Sequence, residues 1–188
     1  DLLARSEGPR VFVCATNVRT GRGEIFSGER LSADAVMASA CLPMLFKAVE
    51  IDGERYWDGG FSGNPALYPL IYETTGIDIL LVRLTPLQRT DNPTRSIDII
   101  DRLSEITFNA SLISEMRAIA FVKRLIDEHK LDRGRYKPLH MHMVADDTGM
   151  SAFNASSKFN TDWAFLQELH RLGHQAADLW LKAHRHQI

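Results

Sequence analysis

The chain has 188 residues, which is enough for one domain with a substantial core. Hydrophobic residues make up 45% and charged residues 24% of it, the composition of an ordinary soluble globular protein. The net charge of -2 and the absence of a basic stripe give no field that would attract nucleic acid, so we expect no nucleic-acid partner.

The compartment is suggested by what the sequence lacks. No apolar run approaches the roughly 20 residues that span a bilayer, and the start, DLLARSEGPR, lacks the basic leader and apolar middle of a signal peptide. Cys14 and Cys41 lie in apolar segments and are interpreted as reduced core residues, not as a disulfide pair. These features predict a cytoplasmic protein.

The first elements predicted along the chain are two strands and a helix. VFVCATNV (11–18) is a nearly continuous apolar run, typical of a strand buried on both faces in a parallel sheet. EIFSG (24–28) follows a glycine-rich turn and should pair back. LSADAVMASACLP (31–43) predicts a short helix with Ser32 as N-cap and a stop at Pro43.

A hairpin comes next. MLFKAVEIDGERYW (44–57) alternates around Asp52-Gly53, a pair typical of a type I′ turn, and its second arm ends at Asp58. ALYPLIYETTG (66–76) predicts a short helix, and IDILLVRL (77–84) predicts a second buried strand.

The second half of the chain reads as mainly helical after a proline-containing loop. Residues 96–130 have apolar positions at helical spacing, which indicates one long helix or two abutting helices. KPLHMHMVA (137–145) predicts a third strand, residues 146–160 a polar loop, and residues 161–184 a final amphipathic helix. Strands separated by helices predict an α/β protein.

The seven histidines all follow residue 128, and none forms a recognisable metal motif. His170 and His174 share a helix face but lack the glutamate of H-E-x-x-H and a third ligand, so a metal hydrolase is the weakest alternative. His140 and His142 share a strand face, where we interpret them as ordinary polar residues. No metal or other cofactor is expected.

The sequence contains no phosphate-binding loop and no G-x-S-x-G nucleophile elbow. GFSGN (60–64) is a near miss, because Ser62 has a glycine two residues before it but Asn64 two residues after it. Ser62 is therefore not predicted to be a nucleophile.

One carboxylate stands out, in YWDGGFSGNP (56–65). Asp58 could simply start a Gly-Gly turn, bonding the backbone two residues on, and from the residues alone this interpretation is favoured. Alternatively, the glycines could hold the carboxylate at a strand end as a base beside a pocket.

Three stretches together resemble the latter half of patatin-like phospholipases. They are ATNVRTGRGEIFSG (15–28), ASACLPMLFKAVEIDGERYWDGG (38–60) and FSGNPAL (61–67). In that family an A-T-[DN]-x-x-T-G-type strand precedes a small-residue helix ending in proline. A hairpin finishing in D-G-[GA] then leads to an N-P-type segment. Residues 95–122 are also similar to a helical extension that follows the patatin core in some bacterial members.

The resemblance implies a fold and a division of the chain. The fold would be α/β: a patatin-like three-layer sheet with flanking helices, here only its C-terminal part, plus a helical C-terminal extension. Residues 1–90 would belong to the catalytic domain, and residues 91–188 would form the extension with one further strand.

The resemblance also implies a serine lipid acyl hydrolase with a Ser–Asp dyad. Asp58 matches the dyad aspartate, which would accept the serine proton, while Gly59 and Gly60 would let the backbone approach the serine loop. Because a free aspartate has a pKa of about 4, such a base needs a prearranged hydrogen bond, and partial burial would raise its basicity.

This chain departs from the family pattern, since the glycine-rich oxyanion loop and the nucleophile serine are both missing. We expect it to be inactive alone, with apolar strand edges that an N-terminal half carrying G-x-S-x-G, or a second copy of the chain, would cover. The resemblance implies a lipid or ester substrate and peripheral contact with a membrane. The alternative is a non-catalytic interaction or lipid-surface binding module derived from a patatin fold.

Overall fold

The computed structural model describes residues 8–90, 92–153, 157 and 159–188, which form two compact units. The first unit comprises the chain up to Thr75 together with Ala110–Ala118, and the second comprises Gly76–Asn109 and Ile119–Ile188. Strands and helices occur in both, which confirms the α/β class. The domain boundary after residue 90 stays a prediction. Most of the DLLARSEGPR start lies outside the described residues.

The sheet of the first unit has the order β2-β1-β4-β3. Its strands are β1 Phe12–Asn17, β2 Gly23–Ser27, β3 Val49–Ile51 and β4 Glu54–Asp58. The prediction that β1 lies in a parallel sheet is wrong, because β1 pairs antiparallel with both β2 and β4. The connection to β2 is too short for the crossover that a parallel pair needs, so the chain returns directly, as predicted.

Helix α1, Ala33–Ser39, packs on this sheet and begins as predicted, since the Ser32 hydroxyl accepts a hydrogen bond from the Ala35 amide at 3.1 Å. It is shorter than predicted, ending before Pro43. Alanine side chains let the helix approach the strands closely, and the buried residues form one core: Ala15, Phe26, Ala35, Ala38 and Tyr56.

The β3–β4 hairpin turns at Asp52 and Gly53, with φ values of 51° and 79°. Positive φ at both central residues is what a type I′ turn requires, so the predicted hairpin is confirmed. The hairpin matters because its second arm ends at Asp58. Helix α2, Tyr68–Glu73, follows as predicted, within residues 66–76.

The second unit contains a parallel pair of strands, β5 Asp78–Arg83 and β6 His140–Ala145. The prediction that residues 77–84 form a buried strand holds for only one face of β5 in the part of the chain that is described. Ile79 and Leu81 are buried, but Leu80 and Val82 on the opposite face are 48% and 63% exposed.

The second unit also contains the two ends of α3, Ser96–Asp127, together with α4, Asp147–Met150, and α5, Trp163–His184. The predicted helical region over 96–130 is confirmed as a single helix, α3, whose middle turns belong to the first unit. Helix α4 lies in a segment predicted to be a loop. In the described ranges, no helix is long and apolar enough to cross a bilayer.

A buried ionic cluster joins Arg89, in the segment that follows β5, to α3 within the second unit. The Glu105 side chain is 8% exposed and receives hydrogen bonds from Arg89 at 2.5 Å and from Arg102 at 2.9 Å. Burial alone would raise the pKa of Glu105, but the hydrogen bonds and charges of the two arginines outweigh it and lower the pKa below 4.5.

The Glu105 cluster predicts a specific loss of stability in acid. Since its pKa is lowered in the fold, the stabilisation is complete above 4.5 and lost as the pH falls through the folded pKa. Glu105→Gln should therefore lower the free energy of unfolding by about 2 kcal/mol at pH 7, and this difference should shrink towards pH 3. Urea unfolding at several pH values measures it. The exposed Glu29, changed to Gln, is the control, and an equal loss at every pH would contradict the prediction.

Candidate active site

The backbone of Asp58 is held from two sides at the end of β4. Its amide donates to the Cys41 carbonyl, and its own carbonyl accepts a hydrogen bond from the Thr16 hydroxyl, both at 2.8 Å. Asp58 lies opposite Ala15 of β1 in the strand register. The backbone that carries the carboxylate is therefore fixed at the end of a strand and is not part of a mobile loop.

The Asp58 carboxylate is half-buried and bonded locally. Its Oδ1 accepts a hydrogen bond from the Gly60 amide at 2.7 Å, capping a short 3-10 turn over Gly59–Phe61. This is the bond, two residues on, that the turn interpretation predicts. It also fixes the orientation that a catalytic base needs, so this bond alone does not distinguish the two interpretations.

Gly59 is required by close contact with β1. Both it and Gly60 are buried, and a Cβ added to Gly59 would overlap the carbonyl group of Cys14. The turn after Asp58 thus packs directly on the backbone of the central strand pair. The expected approach of these glycines to a serine loop stays a prediction.

The hydroxyl groups of Thr16 and Ser62 hydrogen-bond to the backbone of the turn at Asp58 and Gly59. The Ser62 hydroxyl lies 2.9 Å from that of Thr16 and 3.2 Å from the Gly59 carbonyl. Because the Thr16 proton is donated to the Asp58 carbonyl, the single proton of Ser62 is shared between the Thr16 oxygen and the Gly59 carbonyl. Ser62 therefore has a structural role in this unit.

The Cys14 thiol lies beside this network, 3.9 Å from the Ser62 oxygen. Burial raises the pKa of the Cys14 thiol, and the negative charges of Glu115 and Asp58 act in the same direction, against the opposing hydrogen bond from Ser62. The thiol is consequently protonated at neutral pH and is a poor nucleophile.

The four histidines that the sequence singled out lie on β6 and α5 of the second unit. His142 and His140 share one face of β6, as predicted, and lie 2.9 Å and 3.4 Å from the Asp78 carboxylate, whose pKa the His142 hydrogen bond lowers. The rings of His170 and His174 are 6.3 Å apart on α5. Within the described ranges, no group of three or more His, Cys, Asp or Glu residues is suited to holding a metal ion.

Comparison with known families bears directly on the Asp58 region. Residues 6–71 match the model of the patatin-like phospholipase family. The match covers less than half of the chain but includes Asp58, Gly59 and Gly60. Proteins of that family generally hydrolyse lipid esters. None of the curated proteins compared with the chain matches it.

Sequence reasoning missed several residues that hold the site. Thr16 stands in the ATN run that carries the family resemblance, so its position was a usable signal, but its bond to Asp58 depends on strand register. Ser111 and Glu115 of α3 belong to the same unit and bond the segment after the turn. The apolar spacing of α3 gave no indication of these two hydrogen bonds.

Proposed function

We propose that Asp58 is the base of a Ser–Asp dyad in a patatin-like lipid acyl hydrolase. The supporting observation is its fixed carboxylate, bonded to Gly60 at the end of β4, inside the segment that matches the family model. The serine partner comes from outside these 188 residues, which contain no G-x-S-x-G motif. The chain alone is therefore inactive.

The proposed reaction needs one proton acceptor and one nucleophile. Asp58 takes the proton from the serine hydroxyl as that oxygen bonds to the ester carbonyl carbon, and it returns the proton to the alcohol that leaves. Water then attacks the acyl-enzyme, again giving its proton to Asp58, and the carboxylic acid departs as the serine oxygen is reprotonated. No cofactor takes part in these steps.

The proposed partner is a polypeptide that carries the serine, with a second copy of the chain as the other candidate. Large apolar side chains are exposed on α1, in the segment that follows it and in the turn after Asp58: Val36, Met37, Met44, Leu45, Phe46 and Phe61. Met44, at 93% exposure, is the extreme case. An apolar set of this kind is typical of a surface that another protein segment covers.

A second candidate function is a non-catalytic module that binds a partner or a lipid surface. The same exposed side chains favour it, and it requires no serine. On this view Asp58 only starts the turn. Placement in the cytoplasm, with peripheral contact to membranes, fits either function and is part of the proposal.

The first test is an intact-mass spectrum of the purified, denatured protein, followed by an ester hydrolysis assay. A second polypeptide containing G-x-S-x-G, with hydrolysis by the mixture and none by either chain alone, is the result expected. A single 21.2 kDa species without hydrolysis, also when a serine-bearing polypeptide is added, would favour the non-catalytic module.

A further inference from the structure

The first unit, which contains Asp58, includes a helical segment well beyond the family match. The match ends at residue 71, yet Ala110–Ala118 of α3 forms one compact unit with the chain up to Thr75. Leu112, on this segment, is only 2% exposed. These turns of α3 are consequently part of the structure that surrounds the candidate base.

Two side chains of this helical segment bond the backbone that follows the Asp58 turn. The Glu115 carboxylate accepts a hydrogen bond from the amide of Leu67 at 2.9 Å, and the Ser111 hydroxyl accepts one from the amide of Asn64 at 3.3 Å. Leu67 is 1% exposed, so its amide lies where water does not readily replace a lost partner.

The charge of Glu115 lies close to the candidate site. Burial raises the pKa of Glu115, while the Leu67 amide acts in the opposite direction. Its carboxylate also raises the pKa values of Cys14 and Tyr68, as secondary contributions to that of burial. Burying a carboxylate costs free energy. The Glu115 oxygen offsets part of this cost by accepting the Leu67 amide, which an apolar side chain could not do.

We infer that Glu115 is a positioning residue, which fixes the Asp58 turn by accepting the Leu67 amide. The connection runs through a compact stretch of chain. The Gly63 amide donates back to the Gly59 carbonyl at 2.9 Å, so the turn and the segment leading to Leu67 are tied together. Movement of Leu67 is thereby passed to the turn that orients the Asp58 carboxylate.

The inference rests on the proposed function only in taking Asp58 as the functional group, and its test does not require activity. Amide hydrogen exchange is measured by NMR on the whole chain, with Gly60 reporting on the Asp58 bond and Val18 serving as a reference in the same unit. Val18 donates to the Arg55 carbonyl at 2.8 Å. Glu115→Leu should speed exchange at Leu67 and Gly60 at least about tenfold more than at Val18.

The conservative variant separates the acceptor from the charge. Glu115→Gln retains a carbonyl oxygen for the Leu67 amide and should leave Gly60 exchange within about twofold of the wild type. Three results would each overturn the inference. They are unchanged Gly60 exchange in Glu115→Leu, equal acceleration of Gly60 and Val18 exchange in that variant, and equal Gly60 exchange in the Leu and Gln variants.

Two smaller substitutions test the inference if Glu115→Leu does not fold. Ser111→Ala should speed exchange at Asn64 and, to a smaller extent, at Gly60. Ser114→Ala removes a hydroxyl that bonds the Ala110 carbonyl of the same helix, and it should change neither exchange rate. If Gly60 exchange responds equally to both substitutions, or to neither, the helix does not position the turn.

In a hydrolytically active complex, Glu115→Leu should lower kcat with little change in KM. Loss of the exchange effect overturns this inference, whereas a missing hydrolytic activity overturns only the proposed function.

Discussion

Asp58→Asn should lower kcat for ester hydrolysis by about 10²- to 10⁴-fold in a complex with the serine-bearing polypeptide. The physical reason is that a neutral amide cannot accept the serine proton. An asparagine retains a side-chain oxygen for the Gly60 amide, so the turn and the fold should survive the change. Steady-state kinetics, together with thermal unfolding of the same variant, measures both effects.

Asp52→Asn is the matched control for this substitution. It removes the same charge from the same hairpin, and asparagine tolerates the positive φ of 51° at that position. The control should keep its full hydrolysis rate. Hydrolysis by Asp58→Asn within about twofold of the wild type, with normal folding, would leave Asp58 as a turn residue only.

Gly59→Ala should destabilise the first unit by about 3 kcal/mol, because its new Cβ has no room. The obstacle is the carbonyl group of Cys14, which belongs to the paired strand β1 and cannot rotate away as a side chain could. Relief of the overlap requires separating the Asp58 turn from β1. Urea unfolding followed by tryptophan fluorescence measures the loss, and hydrolysis in the complex should fall with it.

Gly76→Ala provides the comparison for Gly59→Ala. A Cβ at Gly76 would meet no heavy atom within 4 Å, and the residue has no positive φ, so a change within about 0.5 kcal/mol is expected. Equal stability of the two alanine variants would show that the close packing of the turn on β1 is not rigid.

Local signals predicted the first unit well because its elements are defined by neighbouring residues. Ser32 preceded an alanine-rich helix, and Asp52-Gly53 lay between alternating arms, so the cap and the hairpin follow from the backbone chemistry of a few residues. The same holds for Asp58, whose local bond to Gly60 is a property of the Asp-Gly-Gly sequence.

Non-local features could not be predicted in this way. The apolar run of β1 gave no means of choosing between parallel and antiparallel partners, since that choice depends on how the chain returns. The one-sided burial of β5 depends on which face other segments cover. Glu115 lies on a helix whose apolar spacing is ordinary, and only tertiary packing brings it to the Leu67 amide.

The discontinuous first unit determines how the protein should behave after a single break in its chain. A protease cut between residues 85 and 90 would leave the Asp58 segment on one fragment and Ser111 and Glu115 on the other. The two fragments would still share one folded unit, so they should co-elute under native conditions and separate only in denaturant. Reassembly from separately produced pieces would be possible for the same reason.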